Sequence, residues 1–80
     1  MKPNNEKLPE SDIAYLVAMG KTIAAMRKKK GYSQLDLSLE AGVAKSYLAE
    51  LEVGKRNPTI ASLRKLALAL GCDVRALLPH

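Results

Sequence analysis

This sequence contains no phenylalanine and no tryptophan, a single cysteine, and a single histidine that is its last residue. The missing large rings disfavour an aromatic-rich sheet protein. Leu, Ala, Ile and Val dominate instead, which points to a helical bundle with an aliphatic core. One cysteine, Cys72, excludes an internal disulfide framework and suits a reducing cytosol, so a cytoplasmic location is expected. Cys72 has neither a histidine partner nor metal-ligand spacing, which leaves it as a small core residue. His80 is terminal, and no glycine loop is spaced to cradle a phosphate. No catalytic residue, metal or cofactor is therefore expected. The apolar run Ile13 to Gly20 is too short to span a bilayer, and the polar N-terminus does not read as a leader.

What is present is a short, basic chain. Eighty residues make one small domain, a size class that buries roughly 60% of its surface. The net charge is +5 and unevenly spread. Glu6, Glu10 and Asp12 outnumber Lys2 and Lys7 in residues 1–15, so the excess lies beyond them. A basic domain invites an anionic partner such as nucleic acid, although charge alone serves solubility equally well. Residues 1–10 read as a flexible arm, because Met1 to Leu8 has no periodicity, and residues 11–80 as the domain. No repeat or long linker divides it, and no effector-binding domain is expected.

Five helices are predicted. Ser11 caps the first, which runs to about Lys30 and buries Ile13, Leu16, Val17, Gly20, Ile23 and Ala24, with Met26 at the edge. Gly20 costs about 1 kcal/mol against Ala in a free helix, which points to close packing there. Ser33 caps the second helix, with Asp36 completing a capping box. Gly42 breaks it with left-handed backbone, and Val43 plugs the core as the chain turns. Leu35, Leu37, Leu39 and Ala41 supply apolar contacts before that break; Leu48 and Leu51 supply them after it. Ser38 is small where two crossing helices approach. The third helix spans Lys45 to Val53, with Ala44 at its cap and Gly54 at its end. Thr59 caps a fourth that buries Ile60, Leu63, Leu66, Ala67 and Leu70 before Gly71. Asp73 caps a short fifth carrying Val74, Leu77 and Leu78.

Helix, tight glycine turn and helix form a helix-turn-helix pattern, whose second helix enters the DNA major groove. Gln34, Leu37, Ser38, Ala41, Gly42, Val43, Leu48, Leu51, Glu52, Gly54 and Lys55 stand where the phage Cro/repressor-type family has its signature. The chain resembles that family, also called the xenobiotic-response-element type, from about Val17 to Leu78. The resemblance implies an all-α, five-helix, lambda-repressor-like DNA-binding domain with the motif at helices 2–3.

Phasing the third helix on Leu48 and Leu51 turns Ser46, Ala49, Glu50 and Val53 outward, with Lys45 on the flank. The first turn of a recognition helix meets base edges first. Lys45 is the leading base-reading candidate, through guanine O6 and N7. Ser46 is short and unselective, Ala49 presents only a methyl group, and Glu50 suits a cytosine amino group. Tyr47 covers the core edge with its ring and offers a hydroxyl to phosphate. The resemblance places Gln34 against a phosphate, assisted by Ser33 and the helix N–H groups. It likewise makes Lys55, Arg56 and Asn57 a backbone-gripping loop. It also pairs Arg27 with Glu52 next to the DNA backbone, and Arg27 is counted among the phosphate contacts. Lys28 to Lys30 serve the helix dipole and remain mainly solvated. Leu68, Val74, Leu77 and Leu78 are the expected dimer face, since this end of the domain carries that contact in the family.

The expected function is a sequence-specific regulator of transcription, repressor or controller type, that binds palindromic duplex DNA as a homodimer. The rival is a protein-interaction module of the same fold, an antitoxin bound to a toxin or an adaptor without DNA specificity. Ala44 and Val53, both poor DNA contacts, keep that rival open.

Overall fold

A computed structural model describes residues 9–79. Residues 1–8 of the expected arm, and His80, lie outside the described residues. The chain forms α1 (Glu10–Lys29), α2 (Gln34–Ala41), α3 (Lys45–Glu52) and α4 (Ile60–Leu70), then a 3-10 turn over Val74–Leu77. The predicted fifth helix is thus a single 3-10 turn. Only seven residues separate Gly71 from Pro79. They close with Ala76 N–H to the Asp73 carbonyl at 2.9 Å and Leu78 N–H to the Arg75 carbonyl at 3.2 Å. Both bonds span three residues, the 3-10 pattern.

Glycine and short polar side chains set most of the boundaries. Gly31, Gly42, Gly54 and Gly71 all have positive φ. Ser33, Thr59 and Asp73 each accept a backbone N–H at a helix start. The first boundary differs from expectation. Pro9, not Ser11, occupies the cap, and its carbonyl accepts from Asp12 and Ile13 N–H. Proline supplies no side-chain acceptor, so the backbone alone closes that turn.

α1 packs on α3, α2 on α3 and α4, and the 3-10 turn on α1 and α4. Ile23, Leu37, Leu48, Leu51, Leu66 and Leu77 are fully buried at the centre. Met19 is buried too, a core position the sequence reading passed over. Four expected core residues are outside. Leu35 is 49% exposed and Leu39 73%. The pair flanks Leu37 at two-residue steps, about 200° around a helix, which places both on its far side. Ile60 is 68% exposed, because it is the first residue of α4 and the covered face begins at Leu63. Ile13 is 45% exposed on the opening turn of α1.

Two close approaches fix the motif against α1. A Cβ at Gly20 would meet the backbone carbonyl of Leu51 and stand 2.6 Å from that of Glu52. One at Gly54 would stand 2.6 Å from Val17 Cγ2. The end of α3 therefore lies directly on the α1 backbone.

Candidate nucleic-acid interface

The Gly42 corner (φ 73°, ψ 35°) sets the direction of α3. Gly42 and Val43 N–H both donate to the Ser38 carbonyl, at 2.9 and 3.0 Å, while the buried Ser38 hydroxyl donates to the Leu35 carbonyl at 2.8 Å. With Leu48 and Leu51 inward, Lys45, Ser46 and Glu50 are exposed and Ala49 is half-buried. Ala44 starts the helix in extended backbone with no side-chain bond.

Behind this helix lies a buried polar triad. Arg27 Nε donates to Glu52 Oε2 at 2.6 Å and Arg27 Nη2 to Glu52 Oε1 at 3.0 Å. Arg27 Nη1 donates to the Tyr32 carbonyl at 2.8 Å, and Gln34 Nε2 to Glu52 Oε1 at 3.0 Å. Glu52 thus ties α1 and the first residue of α2 to the end of α3, and Arg27 adds the α1–α2 turn. The fork geometry of a guanidinium on a carboxylate fixes direction as well as distance. The Glu52 hydrogen bond raises the Arg27 pKa above its ordinary value, against burial pulling it down. The Gln34–Glu52 bond was not anticipated, and no periodicity relates those positions.

Arg27 is 8% exposed, and each of its three nitrogens donates one hydrogen bond within the fold, which leaves little of its surface to a phosphate. Gln34 spends one amide proton on Glu52 and has a second left. Ser33 and Asp36 form the capping box reciprocally, at 3.0 and 2.9 Å. The Ser33 bonds hold the Asp36 carboxyl below its usual pKa.

Beyond α3, Lys55, Arg56 and Asn57 are exposed. Arg56 Nε donates to Glu50 Oε1 at 2.8 Å, and its guanidinium lies 5.1 Å from the centre of the Tyr47 ring. Tyr47 is half-buried against the core. Lys28 to Lys30 are exposed, with the Lys30 ammonium 5.7 Å from the Tyr32 ring.

On α4, Leu68 is 84% exposed. It shares a shallow groove with Ala61, Lys65, Cys72 and Val74. Leu78 is half-buried. Leu77 is a correction: it is fully buried, closing the core from below, and offers nothing to a partner. Burial, and secondarily Asp73, push the Cys72 thiol pKa up. Among the described residues, no three His, Cys, Asp or Glu side chains cluster as a metal site, and no helix is long and apolar enough to cross a membrane.

A helix-turn-helix family model, HTH_3, matches residues 23–77, which contain the corner, the triad and α4. The chain belongs to this Cro/C1-type helix-turn-helix family. Relatives in the family bear the names of regulators. The transcriptional regulator SinR of Bacillus subtilis is 44% identical over 61 residues, 75% of this chain and 55% of SinR. An HTH-type transcriptional regulator of Sinorhizobium fredii, y4dJ, is 42% identical over 53 residues, 66% of this chain and 69% of that protein. Among solved structures, the restriction-modification controller protein C.AhdI from Aeromonas hydrophila superposes with a TM-score of 0.80 at 37% identity. That match covers 81% of this chain and 98% of the controller. SinR has been solved in complex with DNA, and that structure matches with a TM-score of 0.72. The chain spans little more than half of full-length SinR.

Proposed function

We propose that this helix-turn-helix protein is a transcriptional regulator that reads palindromic duplex DNA as a homodimer, in the cytoplasm. The observation that carries the reading is the exposed first turn of α3, held out by the Gly42 corner and braced from behind by Arg27, Glu52 and Gln34. Lys45 and Ser46 read base edges, with Ala49 beside them and Glu50 one turn on. The second amide proton of Gln34, the Ser33 hydroxyl, the Tyr47 hydroxyl, Lys55 and Asn57 meet phosphates, which sets register without reading sequence. Selection of bound duplexes from a random pool tests this. Lys45→Ala should relax preference at one base pair of each half-site, and Gln34→Ala should weaken all sites alike. A wild-type chain that enriches no sequence, or a reversed pattern in the two variants, overturns the reading.

A protein partner, such as a toxin, is the second reading, and the exposed Leu68 beside Val74 favours it. SinR itself has been solved in complex with the SinI protein. A toxin-like reading frame beside the gene would select an antitoxin, and binding to duplex DNA with no preference among sequences would select an adaptor.

A further inference from the structure

We propose that Arg56 is a positioning residue for base reading: it fixes Glu50 on the outward face of α3 so that this carboxylate accepts from a cytosine amino group. The inference rests on the DNA-binding reading above. A free carboxylate carried into a groove walled by phosphates is repelled. Arg56 Nε, 2.8 Å from Glu50 Oε1, offsets that charge where it stands. Glu50 and Arg56 are both half-exposed, with side chains 49% and 52% accessible. An ion pair so exposed adds little to stability, so its consequence is orientation rather than folding.

Three restraints act on Arg56 together. The Tyr47 ring lies under its guanidinium, and that ring is anchored in the edge of the core. Tyr47 and Glu50 are three residues apart, on one flank of α3. The backbone leading to Arg56 is pinned as well. Gly54 N–H donates to the Leu51 carbonyl at 3.1 Å and Lys55 N–H to the Glu50 carbonyl at 2.9 Å, the paired bonds of a glycine-stopped helix. The guanidinium therefore lies over an aromatic ring, is hydrogen-bonded and stands close to a fixed turn. Its Nε bond occupies Glu50 Oε1 and leaves Oε2 to accept from a base. A cytosine amino group is the donor in the major groove that suits a carboxylate. Lysine cannot replace arginine here, since an ammonium is a point charge without a plane to stack or a fork to aim.

The test uses the full chain and duplexes selected from a random pool. Affinities of the wild type, Glu50→Gln and Arg56→Lys are then measured for the selected duplex and its single-base-pair variants, at several salt concentrations. The wild type should prefer cytosine at one position per half-site. Both variants should lose that preference by roughly tenfold and keep the preferences at other positions. Arg56→Lys should retain the wild-type salt slope, because the charge is unchanged. Circular dichroism verifies that each variant is folded, as half-exposed side chains allow. If Arg56→Lys discriminates like the wild type, or Glu50→Gln changes no position, the role of Arg56 is refuted while the DNA reading stands. If the wild type selects no sequence at all, both fall.

Discussion

Glu52 is a carboxylate only 8% exposed, and it is tolerated because both of its oxygens accept hydrogen bonds. Removing one partner from such a pair costs about 3–5 kcal/mol, since a buried charge is left alone. A domain of this size has about 5–10 kcal/mol in total, so the loss is severe. Arg27→Met is therefore expected to lower the urea midpoint by about half. Arg27→Met combined with Glu52→Leu should recover most of it, because paired apolar replacements leave no orphan charge. A double variant as unstable as the single one would show that packing, not charge, sets the cost. At this scale the sequence was half legible. Arg27 continues the Ile23 stripe and Glu52 adjoins Leu51, so both could be placed near the core. Nothing local signals that Gln34 joins them, or that Arg56 lies on Tyr47, because those contacts depend on how the elements are stacked.

The elements themselves were readable where backbone chemistry punctuates the chain. Ser33, Thr59 and Asp73 open elements and Gly31, Gly42, Gly54 and Gly71 close them, each for a reason visible in one or two residues. Faces were less readable: Leu35 and Leu39 alternate with buried Leu37, and period two does not make a helical face. Gly20 was legible as a costly position in a free helix, and the contact explains it. Gly20→Ala gains about 1 kcal/mol of helix propensity, yet the new methyl meets the Leu51 and Glu52 carbonyls of α3. Overpacking against backbone costs about 1–3 kcal/mol, so the net sign is destabilising. Thermal unfolding should fall by several degrees, about 4–8 °C per kcal/mol lost. A rise would mean that α1 and α3 separate without penalty. The cap of α2 adds a pH dependence. Asp36 has its folded pKa lowered from an ordinary 3.8 by the Ser33 bonds. Its stabilisation is therefore present above that ordinary value and is lost as pH falls through the lowered one. Asp36→Asn should flatten the acid limb of the stability curve below about pH 4 and leave its slope at neutral pH unchanged.

At the scale of the molecule, two surfaces matter, the exposed first turn of α3 and the Leu68 face of α4, and the helix-turn-helix pattern already pointed to the first of them. The second was misjudged in part. Leu77 seals the core, and the apolar groups open to solvent there are the exposed Leu68 and, in part, the half-buried Val74 beside it. A two-fold contact through this face would repeat each leucine twice, once per protomer. Burying a leucine side chain is worth about 1.5–3 kcal/mol, so both together shift the dimer equilibrium by about two orders of magnitude or more. Leu68→Lys is accordingly expected to turn a micromolar-range dimer into a monomer in sedimentation experiments, without lowering the thermal stability of the fold. The DNA consequence separates this role from a general weakening. Affinity for a full palindrome, whose half-sites lie about 34 Å apart, should drop sharply, while affinity for an isolated half-site should not change. A wild type that sediments only as monomer, with Leu68→Lys binding the palindrome as well as it does, would assign the Leu68 face to some other partner and leave the recognition helix to act alone.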